Sequence, residues 1–296
     1  MPKRENNVTM PRALVEGAEM WGHTAWLATV PRAIACVESM WSIEIGAAFQ
    51  PGGQTAWVGP ATHGDDDGFV VKIGWRHPEA EHEPDALRLW DGDGAVRLSA
   101  AAVVDDETFA LLLERCRPGT TVKERPEDEQ DIVLAGLLRR LWVEPPTGHP
   151  FRSLQSMCEW WADESEQKIA ASGSRELDSG VVRAGLTLFR ELPASAEGEV
   201  LLCIDLHAGN VLAAEREPWL AIDPKPYVGD PTYDALQHML NCKARLQSDP
   251  RAFADRIAGL LDLDPDRLML WLFARCVQES PHWPWLAPVA RRIAPK

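Results

Sequence analysis

The residues that could carry out chemistry are concentrated in one stretch, from Leu201 to Lys225. Within it, Asp205 and Asn210 form the pattern Asp-x-x-x-x-Asn, and Asp223 follows farther along. A carboxylate can orient a hydroxyl group or accept its proton. An amide oxygen and a second carboxylate suit Mg²⁺, which prefers oxygen ligands and completes its shell with water and phosphate oxygens. This pattern predicts a phosphoryl-transfer loop followed by a metal-binding Asp.

A short hairpin is predicted to bring these side chains together. Two apolar runs, 211–214 and 219–222, are joined by Glu-Arg-Glu-Pro, which is typical of a turn. Symmetric pairing of the runs sets Asn210 opposite Asp223, with Asp205 on the loop that enters the same mouth. Each residue alone could be an ordinary cap or turn former. The combination of loop, hairpin and upstream elements favours a functional site.

The upstream half of the chain predicts a small sheet that could hold a nucleotide. Between positions 41 and 113, segments rich in β-branched and aromatic residues alternate with Gly, Pro and Asp, which predicts five strands around one helix. Lys72 lies inside an apolar strand, where its charge is costly without a partner. The following helix offers Glu83 and Glu81 as partners. Such an ion pair would hold Lys72 towards the phosphates of a nucleotide.

Two other segments of this half could contact the same nucleotide. Gly52 and Gly53 lie between the first two predicted strands and could present backbone N–H groups to phosphates, or could simply form a turn. The last strand ends at Glu114 and Cys116, where the backbone is placed to hydrogen-bond an adenine edge.

Beyond Arg117-Pro118-Gly119 the sequence becomes predominantly helical. Apolar periodicity predicts helices near the N-terminus and over 127–142, 153–171, 175–192, 231–246, 250–261 and 265–279. We therefore expect two parts: residues 1–117, with N-terminal helices and a nucleotide-binding sheet lobe, and residues 118–296, a helical lobe with the catalytic loop and an acceptor site. The expected fold class is α+β and bilobal, with a small antiparallel sheet lobe and a larger helical lobe.

The composition limits the partners. Forty-five acidic residues against 30 basic ones give a formal charge of −15, which disfavours nucleic acid and anionic lipid and suits a cationic small molecule. No run of about 20 apolar residues suggests a membrane span, and no apolar stretch follows the basic start. Six scattered cysteines without a C-x-x-C pair predict buried free thiols in the cytoplasm. No pattern specifies an oligomeric state.

Several segments resemble the aminoglycoside phosphotransferases, most closely the streptomycin 6-phosphotransferase and hydroxyurea phosphotransferase group. The resemblance extends from about Trp41 to Ala274. The segments that carry it are Glu79–Leu98, Leu111–Gly119, Leu206–Leu212, Trp219–Lys225 and Val228–Asp234.

The resemblance implies a bilobal protein-kinase-like fold, Mg²⁺, and ATP or another nucleoside triphosphate. It implies that Asp205 is the catalytic base, that Asn210 and Asp223 bind the metal, and that Lys72 contacts phosphate with Glu83 as its partner. The implied acceptor is a hydroxyl group of a small molecule, such as streptomycin or another aminoglycoside, or hydroxyurea.

The resemblance also assigns Asp230 and Asp234 to bracing the loop and the following helix. Two positions depart from the family pattern. Cys203 stands where the family usually has His, and Pro226 stands where Gly is common. Because of these departures, the alternative of a nucleotide-binding protein without transfer activity stays open.

The acceptor side of the site is less clearly marked. Carboxylates of the helical half could bind a cationic acceptor or could simply be solvated, and five tryptophans could line a pocket or belong to the core. These are Glu159, Asp163, Glu164 and Glu279, and Trp160, Trp161, Trp271, Trp283 and Trp285. A further alternative is a metal oxygenase with Asp205, His207 and His238 as ligands. The order of Lys72 and Glu83 argues against it.

Overall fold

The computed structural model describes residues 8–172 and 177–295. The chain forms two compact units. The first contains the chain up to Gly119 together with the short segment Ala213–Pro218, and the second contains Thr120–Leu212 and the chain from Trp219 onward. The segment Ala213–Pro218, which is far from the rest of the first unit in sequence, is the loop of the hairpin predicted above.

The first unit is built on an antiparallel sheet of five strands, in the order β1-β2-β3-β5-β4. Within the described residues of this unit, three α-helices accompany the strands. The elements are α1 (Arg12–Trp21), α2 (Val30–Trp41), β1 (Glu44–Ile45), β2 (Ala56–His63), β3 (Asp66–Trp75), α3 (Glu83–Trp90), β4 (Leu98–Asp105) and β5 (Thr108–Glu114). The prediction of five strands around one helix, preceded by helices, is confirmed.

Side chains of β3 alternate between the two faces of the sheet, so the core residues of this strand and Lys72 lie on opposite faces. Val71, Ile73 and Trp75 are buried in a cluster that contains the apolar stripes of α1 and α2. Because successive side chains of a strand point to opposite faces, Lys72 lies on the other face of the sheet. The amphipathic helices α1 and α2 therefore cover the face of the sheet opposite to Lys72.

The described residues of the second unit are mainly helical and include two small sheets. β6, β10 and β7 form a sheet in that order, and β8 pairs with β9. The elements are α4 (Glu127–Leu141), β6 (Arg152–Ser153), α5 (Leu154–Ser172), α6 (Ser179–Glu191), β7 (Val200–Leu202), β8 (Val211–Leu212), β9 (Leu220–Ala221), β10 (Tyr227–Gly229), α7 (Pro231–Asp234), α8 (Leu236–Asn241), α9 (Lys243–Ser248), α10 (Pro250–Leu261), α11 (Pro265–Glu279) and α12 (Leu286–Ile293).

The prediction of one continuous helix over 231–246 is wrong. This segment is divided into α7, α8 and α9, and the backbone leaves helical geometry at Cys242, with ψ 59°. Short helices of this kind are stabilised by tertiary packing rather than by their own periodicity, so the pattern did not indicate the breaks. Helix α6 begins at Ser179 after the N-cap Asp178, and positions 175 and 176 of the prediction lie outside the described residues. Helix α12 was not predicted.

The hairpin exists, but its predicted register is wrong by one residue. Val211 pairs with Ala221 and Leu212 with Leu220, so Asn210 lies opposite Ile222, whose N–H donates to the Asn210 carbonyl at 2.9 Å. The loop is longer than the predicted turn because Ala213–Pro218 belong to the first unit. Asp223 therefore follows the paired segment, in left-handed conformation with φ +54°.

In the described residues, no helix is both long and apolar enough to cross a membrane. The six cysteines are free thiols, but Cys36 is exposed and Cys116 half-buried. The prediction that all of them are buried is therefore wrong for these two, which lie on a helix surface and on the segment after β5.

Candidate active site

Lys72 and Glu83 form a buried ion pair in the first unit. The Lys72 Nζ lies 2.5 Å from Glu83 Oε2, and the two residues are 5% and 0% exposed. Strand β3 presents the lysine, and α3 begins at the glutamate. Of the two partners left open by the sequence, the structure places Glu83 on the lysine. A buried charge is costly unless it is paired, so this pair holds the ammonium in a defined position.

Gly52 and Gly53 lie in the loop that precedes β2. Gly52 has φ +78°, and a Cβ there would lie 2.5 Å from the Cβ of Pro11, so a side chain would be strained and would clash. The neighbouring Pro51 carbonyl accepts from Ala13 N–H at 3.1 Å. The glycine loop therefore packs closely on the start of α1.

Glu114 and Cys116 lie at the end of β5 and just after it. The Glu114 carboxylate binds the Arg216 guanidinium at 2.9 Å through both of its oxygens, and its N–H donates to the Arg97 carbonyl. Burial raises the pKa of the Cys116 thiol to about 12, so the thiol is neutral. Arg216 also donates to the carbonyls of Gly92 and Ala95. Sequence reasoning missed Arg216, because a charged residue in a hairpin loop carries no distinctive signal.

In the second unit, Asp234 holds the turn that leads to Asp205. Its carboxylate accepts from the backbone N–H groups of Cys203 at 2.8 Å and Ile204 at 2.6 Å, and from Trp142 Nε1 at 3.1 Å. Ile204 has φ +58°, which is strained for a β-branched residue. Burial raises the pKa of Asp234 to about 6, although these three donors oppose the shift. The predicted bracing of the loop by Asp234 is present.

Cys203 contributes to this loop through its backbone. Its carbonyl accepts from the N–H groups of Asp205 at 2.7 Å and Lys225 at 2.9 Å, which connects the loop to the segment after β9. Its side chain is fully buried, and burial raises the pKa of the thiol well above its ordinary value. The anchoring bonds therefore need no histidine side chain at this position.

The Asp205 carboxylate is held by two amide groups. Gln237 Nε2 donates to Oδ1 at 2.7 Å, and Asn210 Nδ2 donates to Oδ2 at 3.3 Å and to the Asp205 carbonyl at 3.0 Å. Because the Asn210 nitrogen is used in this way, its amide oxygen is the atom left to act as a ligand. Sequence reasoning missed Gln237, which lies on α8, 32 positions from Asp205.

The electrostatics around Asp205 favour a proton-accepting group. Burial raises the pKa of its carboxyl, His207 opposes the rise, and the charge of Asp223 adds to it. Burial also lowers the pKa of His207. His207 Nδ1 accepts from Gly209 N–H at 3.0 Å, and its Nε2 lies 3.9 Å from Asp205 Oδ1. A neutral His207 with its proton on Nε2 is consistent with both contacts.

Asn210 and Asp223 supply the oxygen atoms that a divalent ion would need. Asp223 also forms an ion pair with Lys225. One amide oxygen and one carboxylate suit Mg²⁺, whose remaining ligands are usually waters and phosphate oxygens. Among residues 8–172 and 177–295, no group of three or more His, Cys, Asp or Glu side chains is arranged to hold a metal.

The oxygenase alternative is not supported by this geometry. His238 is buried, and its Nε2 lies 2.9 Å from Asp131 Oδ1, so its partner is a carboxylate of α4. With Asp205 and His207 it forms no three-ligand group in the described part of the chain.

The four candidate acceptor-binding carboxylates all have partners within the unit. Asp163 binds Arg190, Glu164 binds Lys168, Glu279 binds Arg275, and Glu159 accepts from Gln155. The tryptophans differ: Trp271 is fully buried, whereas Trp160 is 51% exposed. Trp161 lies under the Arg275 guanidinium, and Trp283 stacks on Trp285.

The similarity of this chain to known proteins also supports a kinase-like site. The family model for aminoglycoside/hydroxyurea antibiotic resistance kinases matches residues 49–285. A hydroxyurea phosphotransferase from Kitasatospora aureofaciens is 36% identical, over 92% of this chain and 79% of the relative. A streptomycin 6-kinase from Streptomyces griseus is 32% identical, over 93% of this chain and 91% of the relative.

Solved structures show the same fold. A thermostable mutant of the aminoglycoside phosphotransferase APH(4)-Ia, in a ternary complex with ADP and hygromycin B, superposes with a TM-score of 0.59 at 16% identity, over 88% of this chain and 97% of the other. The predicted α+β kinase-like fold is therefore confirmed. With the family model matching most of its length, the chain belongs to the aminoglycoside/hydroxyurea antibiotic resistance kinase family.

Proposed function

We propose that this chain is an ATP-dependent phosphotransferase that acts on a hydroxyl group of a small molecule, with an aminoglycoside such as streptomycin as the acceptor. The observation that supports it best is the Asp205 carboxylate, oriented by Asn210 and Gln237 beside the oxygen donor Asp223. The kinase family to which the chain belongs supports the same activity.

Each of these side chains has a defined role in the proposed reaction. The acceptor oxygen attacks the γ-phosphorus, its proton passes to the Asp205 carboxylate, and the bond from the γ-phosphorus to the bridging oxygen breaks to release ADP. Lys72, held by Glu83, donates to the phosphates. Asn210 and Asp223 would hold Mg²⁺, and the bound ion would neutralise charge on the phosphate oxygens.

The nucleotide is assigned to the first unit. A related fold with bound ADP supports ATP as the donor. The Glu114 carbonyl and the Cys116 N–H are proposed to contact the base edge, because residues i and i+2 of an extended chain present these groups on the same side. Gly52 and Gly53 are proposed to offer backbone N–H groups to the phosphates.

Two acceptors follow from the relatives. The formal charge of −15 favours a cationic aminoglycoside, and the streptomycin 6-kinase relative points the same way. The hydroxyurea phosphotransferase relative, at 36% identity, makes hydroxyurea the second candidate.

An acceptor screen tests the proposal. The purified chain is incubated with Mg²⁺ and ATP, and with streptomycin, other aminoglycosides or hydroxyurea. ADP release is followed by a coupled assay, and the phosphorylated product by mass spectrometry. We expect acceptor-dependent ADP release that Asp205→Ala removes. ATP binding without transfer to any acceptor would instead favour the non-catalytic nucleotide-binding alternative.

A further inference from the structure

Gln237 forms a short hydrogen bond with the Asp205 side chain. Its Nε2 donates to Oδ1 at 2.7 Å, whereas the Asn210 donor reaches Oδ2 at 3.3 Å and divides its protons between Oδ2 and the backbone carbonyl. A donor bonded to a carboxylate at this distance is charge-assisted and stronger than a neutral hydrogen bond. Oδ1 is therefore the more firmly held oxygen of Asp205.

The helix that carries Gln237 is itself anchored. His238, the next residue, is buried and bonds Asp131 Oδ1 at 2.9 Å. Asp131 is fully buried and also binds the guanidinium groups of Arg245 and Arg256, at 2.8 and 2.7 Å. This network connects α8 to α4, α9 and α10. Because several charged groups converge on one buried carboxylate, the network resists a shift of α8.

We infer that Gln237 is a positioning residue of the phosphotransfer reaction, and this inference rests on the proposed function. Its Nε2–H holds Oδ1 and so fixes the plane of the Asp205 carboxylate. Oδ2 then faces the acceptor and receives the hydroxyl proton, because a carboxylate oxygen can accept a second hydrogen bond beside that of Asn210.

Loss of this donor should affect the chemical step more than binding. A carboxylate free to rotate spends less time in the productive orientation, and misplacement of a reacting group by about 1 Å can reduce the rate by about 100-fold. The KM for ATP should stay constant, since Gln237 has no proposed contact with the nucleotide. An effect on kcat alone identifies an interaction needed in the transition state.

Substitutions that keep the shape of the side chain separate positioning from packing. Gln237→Met removes the donor, and Gln237→Glu replaces it by a carboxylate that repels Asp205. Gln155→Met is the matched control: Gln155, on α5, donates to Glu159 Oε1 at 2.8 Å and to the Arg190 carbonyl at 2.9 Å. The readouts are kcat and KM for ATP and for the acceptor identified in the screen, together with the melting temperature.

We expect kcat to fall by about 10- to 100-fold in Gln237→Met and further in Gln237→Glu, with KM for ATP and the melting temperature close to those of Gln155→Met. Active wild-type protein with unchanged kcat in both Gln237 variants would overturn the inference and leave the proposed function intact. Equal losses of stability and kcat in Gln237→Met and Gln155→Met would also overturn it. Wild-type protein without transfer to any acceptor would overturn both.

Discussion

The two units hold their charged groups in different ways. In the first, Lys72 and Glu83 lie on a regular strand and a regular helix and meet in a buried contact of 2.5 Å. In the second, Asp205 lies on a loop that follows a strained Ile204, and the loop is held by side chains from other helices. The first arrangement depends on secondary structure, and the second depends on contacts between distant segments.

The two arrangements should respond differently to the loss of a side chain. Removal of one partner of the buried pair takes away the ion pair that offsets the desolvation of the other charge, so its cost should appear mainly as lost stability. Removal of the Asp205 carboxylate or of the Gln237 amide that holds it leaves the core of the unit intact, so its cost should appear mainly in the rate.

The largest effect is expected for Asp205→Ala. Because the proposed base is lost, kcat should fall by about 100- to 10,000-fold while nucleotide affinity is retained. Asp255→Ala, in an exposed pair with Arg251, is the control and should keep its rate. Steady-state kinetics and calorimetric nucleotide binding provide the measurements, and full turnover by Asp205→Ala would exclude its role as base.

Glu83→Ala should be the most damaging change for stability. It leaves the Lys72 ammonium buried without this carboxylate, at a cost of about 3–5 kcal/mol in unfolding free energy. The double variant Lys72→Met/Glu83→Leu should recover much of the stability but not the activity. Urea unfolding and the ADP-release assay test both points. Recovery of activity in the double variant would contradict the phosphate-binding role of Lys72, and Glu16→Ala, in an exposed pair, is the control.

Asp234→Ala should lower both the stability of the protein and its kcat. It removes the acceptor of three donors, so we expect a loss of about 2–3 kcal/mol and a lower kcat.

The stability gap between wild type and Asp234→Ala should depend on pH. Burial raises the folded-state pKa of Asp234 to about 6, above its ordinary 3.8, so its contribution is fully present below the ordinary pKa and is lost as the pH rises through 6. The gap should therefore be about 1 kcal/mol larger at pH 5 than at pH 8. Equal gaps, measured by urea unfolding at both pH values, would contradict a raised pKa.

Arg216→Ala should have the smallest effect. Its guanidinium connects the β8–β9 loop to Glu114 and to two carbonyls within the first unit, but the side chain is 23% exposed. We expect a loss of about 1 kcal/mol in unfolding free energy. Arg251→Ala, at an exposed pair, should cause no measurable change, and a similar result for Arg216→Ala would show that the loop is held by other contacts.

Much of the fold could be predicted because its elements have clear patterns. The five strands and the long helices have the alternation or periodicity of their class. The breaks between α7, α8 and α9 could not be predicted, since short helices are defined by what they pack against. The hairpin register could not be predicted either, because residues of its loop belong to the first unit.

The same division holds for the candidate site. The order of Lys72 and Glu83 and the spacing of Asp205 and Asn210 could be recognised without a structure, because they depend on neighbouring elements of recognisable type. The contact of Gln237 with Asp205, 32 positions away, and that of Arg216 with Glu114, 102 positions away, could be identified only in the folded chain. Contacts between such distant residues form only after the intervening chain has folded, and an amide or a guanidinium on its own has no pattern that names its partner.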